Sequence, residues 1–292
     1  MDVNDQIKTD GNIAVELKQF YGSSQTYLKR LERHDEETFA PYIELCKAKI
    51  PAGASILDCG CGIGTSSYLL AKEGFKVTAT DISPLFISEA KKKYGEQPNL
   101  KFSIEDASKM SFSNNSLDAV CCFDMLEHVT DVNSVLREMS RVVKAKGLLI
   151  IFMPNHLDPI QHLITCIRWR RKDKYKPWEA NNQIMAFGQF IRSTYLSITK
   201  AIGINRKIYY LQPVLSDDEN SCGEDYDATW LTNCFDIENA LKGLGFLIKS
   251  ASSLQSNKSR IVHIMKKYRF PKAVQSLYLK MRAPCIILGV KE

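Results

Sequence analysis

The chain has 292 residues, 45% hydrophobic and 25% charged, ordinary globular proportions for one large domain with an elaboration or for two small ones. Its 39 basic and 33 acidic residues leave a net charge of +6, short of the strongly basic balance of a dedicated nucleic-acid domain, so nucleic acid is not an expected partner. A polar first twenty residues and the lack of a long apolar run exclude a signal peptide and a membrane-spanning helix, and a cytoplasmic protein is expected.

In chain order, the spacing predicts a helix over Glu36 to Ile50, closed by Pro51-Ala52-Gly53, and a strand over Ser55 to Asp58. A helix over Thr65 to Lys72 stops at Gly74, and a strand runs from Phe75 to Asp81. Ser83-Pro84 opens the next helix as N-cap and first residue, and that helix ends near Tyr94-Gly95. Strands follow at Leu100 to Glu105 and at Leu117 to Phe123, the latter a continuous apolar run suited to a sheet buried on both faces. Val132 to Val143 reads as a helix with Val132, Val135, Leu136, Met139 and Val143 on one face, before a strand at Leu148 to Met153. The alternation then breaks off after Asn155. It resumes with a helix at Asp236 to Lys242, a strand at Phe246 to Ser253, a basic segment, and a last strand at Pro284 to Val290.

Strands alternating with helices argue an α/β fold, a Rossmann-like doubly wound sheet of seven strands, mostly parallel. Residues 1–50 are expected to form an N-terminal helical cap, 51–155 the ligand-binding core, 156–225 a mainly helical insertion after strand five, and 226–292 the end of the fold. Ligands of such sheets sit beyond the carboxyl ends of the strands. Nine cysteines include no Cys-x-x-Cys pair and suggest neither a zinc site nor a disulfide framework.

The segment Ile56-Leu57-Asp58-Cys59-Gly60-Cys61-Gly62-Ile63-Gly64-Thr65 stands at the first such strand end. Glycines at alternate positions let a ligand lie against the backbone. The spacing is not the Gly-x-Gly-x-x-Gly of dinucleotide binders, and Asp58 would repel a pyrophosphate while suiting an ammonium group. Here the chain resembles the class I S-adenosylmethionine-dependent methyltransferases, whose first motif reads acidic-x-Gly-x-Gly-x-Gly. Met125-Leu126-Glu127-His128-Val129 is similar to the Leu-Glu-His-Val segment of a branch that includes ubiquinone-biosynthesis O-methyltransferases. Lys144-Ala145-Lys146-Gly147 keeps only the first lysine and last glycine of that branch's Lys-Pro-Gly-Gly. The resemblance is strong over about residues 50 to 155 and weak over 228 to 254.

It implies that S-adenosylmethionine is the cofactor, held by Asp58, Gly60, Cys61, Gly62, Gly64, Asp81, Ile82, Asp106, Ala107, Phe123 and Asp124. Asp81 would accept the ribose hydroxyls and Asp106 the adenine amino group, with Ile82 and Met125 as apolar faces. Methyl transfer to oxygen or nitrogen also needs a proton removed, and an imidazole titrates near neutrality. His128 and His156 both follow strand ends and are the candidate bases. His34, His162 and His263 carry no local signal, and no metal is expected.

O-methylation of a small molecule or a glycan is expected, with lipid- or phosphate-linked acceptors among the candidates. Asn155, Tyr226 and Trp230 are candidate contacts, the two aromatics because they can stack on a ring. Glu224-Asp225-Tyr226-Asp227-Ala228-Thr229-Trp230 weakly resembles methyltransferases of surface-polysaccharide pathways. Residues 168–178, Arg168-Trp169-Arg170-Arg171-Lys172-Asp173-Lys174-Tyr175-Lys176-Pro177-Trp178, would attract phosphates or an anionic membrane surface, with Ile160 to Trp169 as a short amphipathic helix. Six acids between Asp217 and Asp227 either answer that basic run or sit in solvent. The alternatives are an RNA or other N-methyltransferase and a non-catalytic S-adenosylmethionine-binding protein.

Overall fold

The computed structural model describes residues 11–170, 172, 174–219, 225–252, 278, 280–281 and 285–292. Residues 1–10, Arg171, Asp173, Glu224, His263, Pro284 and most of the basic segment after Ser253 lie outside the described residues.

Three helices precede the sheet: α1 Gly11–Ser23, α2 Gln25–Leu31 and α3 Glu36–Lys49. Ser24 and Asp35 cap the second and third, accepting from the backbone N–H groups of Tyr27 and Thr38. The alternating part follows as β1 Ser55–Cys59, α4 Thr65–Lys72, β2 Lys76–Asp81, α5 Pro84–Tyr94, β3 Leu100–Ile104, β4 Leu117–Phe123, α6 Val132–Val142 and β5 Val143–Met153. The insertion supplies α7 Pro159–Ile167 and α8 Gln183–Ala201, and α9 Cys234–Gly243, β6 Phe246–Ser252 and β7 Cys285–Lys291 complete the fold.

Among the described residues, seven strands form one sheet in the order β3-β2-β1-β4-β5-β7-β6. The first five pair in parallel, and β7 runs antiparallel to both β5 and β6. The order reverses between β1 and β4, which places the topological switch beside the glycine segment. β5 starts five residues before the expected strand because Val143 already pairs with Leu117, ahead of a register shift between Leu117 and Ala119.

The sheet is buried on both faces. One apolar layer joins Tyr42, Ile56, Leu70, Ala79 and Ile150; the other joins Leu57, Val120, Leu136, Met139 and Ile151 with Trp230. Burying side chains on both faces explains why β4 and β5 read as unbroken apolar runs. The described cysteines are free thiols, and all but Cys166 are buried.

The insertion is helical only through α8; from Ile202 to Asn233 the described residues add a single bridge, Tyr210 to Trp230. Leu157, Leu196 and Leu231 pack α8 onto the sheet domain. Lys200 on α8 forms a fully buried ion pair with Asp236 on α9, its Nζ 2.6 Å from Oδ1. The acidic stretch does meet the basic run, through an ion pair between Lys174 and Asp218. Asp217 instead turns to the cap, where its carboxylate accepts from Ser24 Oγ and from the Thr26 backbone N–H.

Candidate active site

Two adjoining cavities open at the carboxyl ends of the strands. The larger, about 460 Å³, lies over Gly60, Gly62, Asp81, Ile82, Asp106, Ala107 and Asp124, and α1 and α2 roof it with Leu17, Tyr21, Tyr27 and Leu31. Its size falls in the range of small-molecule sites, roughly 300–1,000 Å³. The smaller, about 260 Å³, is walled by Arg30, His34, Phe39, Cys61, Phe123, Glu127 and Asp225. Gly60, Gly62, Asp124 and His128 border both. The sheet therefore brings together nine of the eleven residues expected to hold the cofactor, with His128 at the junction.

The glycine segment is shaped by two contacts. Gly60 has φ +76°, and a Cβ there would stand 2.2 Å from Met125 Cγ. Gly64, at φ +79°, begins α4 and lies so close to Phe102 that a Cβ would come within 2.5 Å of its ring. Both the conformation and the close approach require glycine. Asp81 holds this loop from the next strand: its Oδ2 accepts from Gly62 N–H and its Oδ1 from Ser83 N–H, each at 2.9 Å. Burial raises the Asp81 carboxyl above the usual range, partly offset by those N–H groups. Asp106 accepts from Ser108 N–H at 2.8 Å, an Asx turn, and still faces the large cavity.

The remaining two members of the expected set face elsewhere. Asp58 is buried, and Ser66, Ser67 and Tyr42 donate hydroxyl hydrogen bonds to it at 2.7, 2.6 and 3.2 Å. Its charge is thereby bound to the first turn of α4 and borders neither cavity. Gly64 serves the packing just described.

Asp124, by contrast, opens into both cavities from a left-handed φ of +45°. Desolvation at the cavity wall pushes its carboxyl up to about 7, the neighbouring Asp225 adds to the rise, and His128 opposes it. With Asp81, Glu105, Asp106 and Asp131, it makes the large cavity strongly acidic; among the described residues Lys18 is the one lysine or arginine lining it. Such a cavity favours a cation and repels a pyrophosphate. The donor set thus fits S-adenosylmethionine, a cationic sulfonium with a nucleoside at one end, better than a dinucleotide.

His128 lies on a one-turn 3-10 helix, Leu126–His128. Its Nδ1 is 3.3 Å from Asp227 Oδ2 and its Nε2 is 3.7 Å from Glu127 Oε1. Asp227 is buried and accepts a 2.6 Å hydrogen bond from Tyr21. Glu127 is fully buried with neither carboxylate oxygen hydrogen-bonded. Burial, followed by the charges of Asp124 and Asp225, holds its carboxyl well above the ordinary range. Glu127, His128 and Asp225 also offer three ligand atoms within 4.8 Å of one another.

His156 has a different setting. It is buried, stacked on Trp178 at 3.8 Å between ring centroids, with Nδ1 3.3 Å from Trp230 O and Nε2 3.5 Å from Asp225 Oδ2. Burial pushes Asp225 up, but the contact with His156 and the nearby His156, His128 and Lys176 together hold it below the usual range. Asn155 is buried and its Oδ1 accepts from Leu157 N–H. Trp230 has no exposed surface and donates its indole N–H to Leu126 O at 2.7 Å. Tyr226 is buried beside Lys176. None of these four borders either cavity, and an indole enclosed by the core has no face left for an acceptor ring. Tyr21 and Asp227, hydrogen-bonded to each other, are the residues that lie beside His128 instead. Asp227 belongs to the acidic stretch and Tyr21 to the N-terminal cap, and nothing in the sequence signals that they meet.

Fold and site together define a doubly wound α/β protein with an acid-lined nucleoside-sized cavity at its switch point. Residues 57–151 match the family described as "Methyltransferase domain". A 2-methyl-6-phytyl-1,4-hydroquinone methyltransferase of Synechocystis is 38% identical over 113 residues, 38% of this chain and 36% of that protein. A ubiquinone biosynthesis O-methyltransferase of Xanthomonas oryzae is 36% identical over 105 residues, 34% of this chain and 43% of that protein. The matched segment thus spans less than half the length of both relatives. An S-adenosylmethionine-dependent methyltransferase from Mesorhizobium loti shares the fold with a TM-score of 0.52 at 15% identity, over 87% of this chain and 97% of that one. Residues 57–151 thus carry a methyltransferase domain, on a fold shared with S-adenosylmethionine-dependent methyltransferases.

Proposed function

We propose that this protein transfers a methyl group from S-adenosylmethionine to a hydroxyl oxygen of a small-molecule acceptor. The observation that carries the reading is the acidic cavity meeting a second cavity at His128. Gly60, Gly62, Asp81, Ile82, Asp106, Ala107 and Asp124 would hold the cofactor, which supplies an already electrophilic methyl group. The work left to the protein is to align the acceptor oxygen and to remove its proton. Alignment in a closed site is worth ~7–11 kcal/mol.

His128 is the base in this reading. Asp227 lies 3.3 Å from its Nδ1 without hydrogen-bond geometry and is itself fixed by Tyr21; a carboxylate that close stabilises the imidazole once it is protonated. Glu127 stands on the Nε2 side, where its carboxyl, held above the ordinary range by burial, borders the second cavity. The buried, stacked setting of His156 suits a positioning residue that holds Asp225.

The acceptor class follows from the second cavity, which combines Phe39, Phe123 and Leu31 with Arg30 and His34. Aromatic walls and a few polar groups suit a phenolic or hydroquinone-type ring. The named activities of the two quinone-pathway relatives support this choice over a glycan.

The experiment is titration with S-adenosylmethionine, followed by turnover with phenolic and glycan acceptors monitored by S-adenosylhomocysteine release. Saturable binding with phenol-dependent turnover is expected. Binding without turnover on any hydroxyl acceptor would overturn the reaction while sparing the cofactor.

A further inference from the structure

The outer face of α8 has no counterpart in the methyl-transfer reading. Ile184, Phe187, Ile191, Tyr195, Ile198 and Ile202 are all exposed, Ile184 by 86% and Ile202 by 63%. At 100° per residue these six fall within roughly 80° of the helix circumference. They form one apolar stripe about 28 Å long. Ile167, 71% exposed, extends it at one end, where Gln183 Nε2 reaches Cys166 O, and Ile204 extends it at the other. Contiguous apolar surface on this scale marks an interaction site.

The opposite face of α8 is firmly seated. Leu196 packs with Leu157 and Leu231, Ser197 Oγ donates to Leu157 O at 3.1 Å, and Lys200 is locked to Asp236. The stripe is therefore held outward by the fold.

Charge indicates what covers it. Residues 159–207 carry ten basic side chains against two acidic ones, an excess larger than that of the whole chain. Lys172, Lys174 and Lys200 are spent on Glu179, Asp218 and Asp236. Arg168 and Arg170 follow the stripe's first end, Arg206 follows Ile204, and Arg192 lies on α8 itself; all four are exposed. A second copy of the chain on this face would set these arginines against one another, because a two-fold contact repeats the same patch. An anionic lipid surface pairs with them while its acyl region takes the isoleucines and Phe187. Among the described residues no helix is long and apolar enough to cross a membrane, so α8 would lie in the interface plane.

We infer that α8 docks the protein on anionic membranes, its 184–202 stripe entering the lipid interface and Arg168, Arg170, Arg192 and Arg206 meeting the headgroups. This assigns contact to a face beyond the 168–178 run, and it does not depend on the methyl-transfer reading.

The test is flotation of the full chain with phosphatidylcholine vesicles, with and without phosphatidylglycerol. Retention on the anionic vesicles is expected, with little on phosphatidylcholine alone and less as salt rises above about 0.1 M. F187E/I191E should lower retention by tenfold or more, in order-of-magnitude terms, while leaving thermal stability and S-adenosylhomocysteine binding unchanged. R168Q/R206Q should lower it roughly fivefold per arginine and flatten the salt dependence. No retention of the wild-type chain, or retention that F187E/I191E leaves intact, would overturn the inference. So would light scattering showing a stable dimer that F187E/I191E converts to monomers, since a second copy would then be the occupant.

Discussion

Tyr21 on α1 donates its phenolic hydroxyl to Asp227, 206 positions away, at 2.6 Å. The same aspartate lies 3.3 Å from His128 Nδ1. Cap, strand-four loop and the segment returning from the insertion therefore meet at one buried carboxylate. Burial and Asp227 raise Tyr21 well above the ordinary phenol range, which keeps it a donor.

If His128 removes the acceptor proton, H128A slows turnover by ~10²–10⁴-fold while cofactor affinity stays within a few-fold. D227N leaves the imidazole in place without its charged partner and should also cut kcat, with KM little changed. Steady-state kinetics beside S-adenosylhomocysteine titration distinguishes the two effects. Full turnover in H128A would remove the base assignment.

Asp81 joins the glycine segment to the start of α5 through two N–H bonds. D81A should abolish cofactor binding but also lower the melting temperature, because two buried N–H groups lose their acceptor. D81N retains one acceptor oxygen and should fold well, with affinity weaker by ~10–100-fold, equivalent to one charged hydrogen bond of ~1.5–3 kcal/mol. Calorimetric titration with a thermal melt of each variant checks both parts.

Desolvation and the neighbouring Asp225 push the Asp124 carboxyl up to about 7. A cationic ligand favours its ionised form, so binding should lower its pKa and release a proton. The sign follows: affinity for S-adenosylmethionine rises as pH increases through about 7 and levels off above it. Titration in buffers of different ionisation enthalpy should show proton release near neutrality, absent in D124N. Proton uptake instead would contradict the assigned direction.

At Gly60, alanine would meet both a disfavoured φ of +76° and a Met125 side chain 2.2 Å away. G60A should lose at least ~1–2 kcal/mol of stability from the backbone alone and weaken cofactor binding. Adding M125A removes the Cγ contact but keeps a Cβ 2.6 Å away, so it should recover only part of the clash and leave the backbone penalty. Chemical denaturation of the single and double variants measures each contribution.

The buried Lys200–Asp236 pair joins α8 to α9. K200M strands the aspartate and should cost ~3–5 kcal/mol. Replacing both partners with apolar residues should recover much of that loss. Unfolding curves for the single and double variants decide the matter.

The elements from β1 to β5 and the glycine segment were legible in the sequence because each rests on neighbours a few positions apart. Ser83-Pro84 caps its own helix, apolar runs mark doubly buried strands, and alternate glycines accompany a tight loop. Asp81, Asp106 and Asp124 could likewise be placed, since a strand end delivers its last residue to the same edge of the sheet. The period of the α8 stripe is also present in the sequence, yet the same pattern describes a buried helix face; only its exposure in the fold separates the two.

What the tertiary structure alone decided concerns partners far apart in the chain. Asp58 sits where a ligand carboxylate was expected, but Ser66, Ser67 and Tyr42 occupy it from two helices. Trp230 has the composition of a stacking platform, but it closes the core over Leu126. His128 and His156 are equivalent as strand-end histidines, and they differ because one meets Asp227 beside a cavity while the other stacks on Trp178. Local propensity and periodicity are short-range and can be read along the chain. Burial and hydrogen-bond partnership depend on which distant segments the sheet order brings together, and that order made the difference at each of these residues.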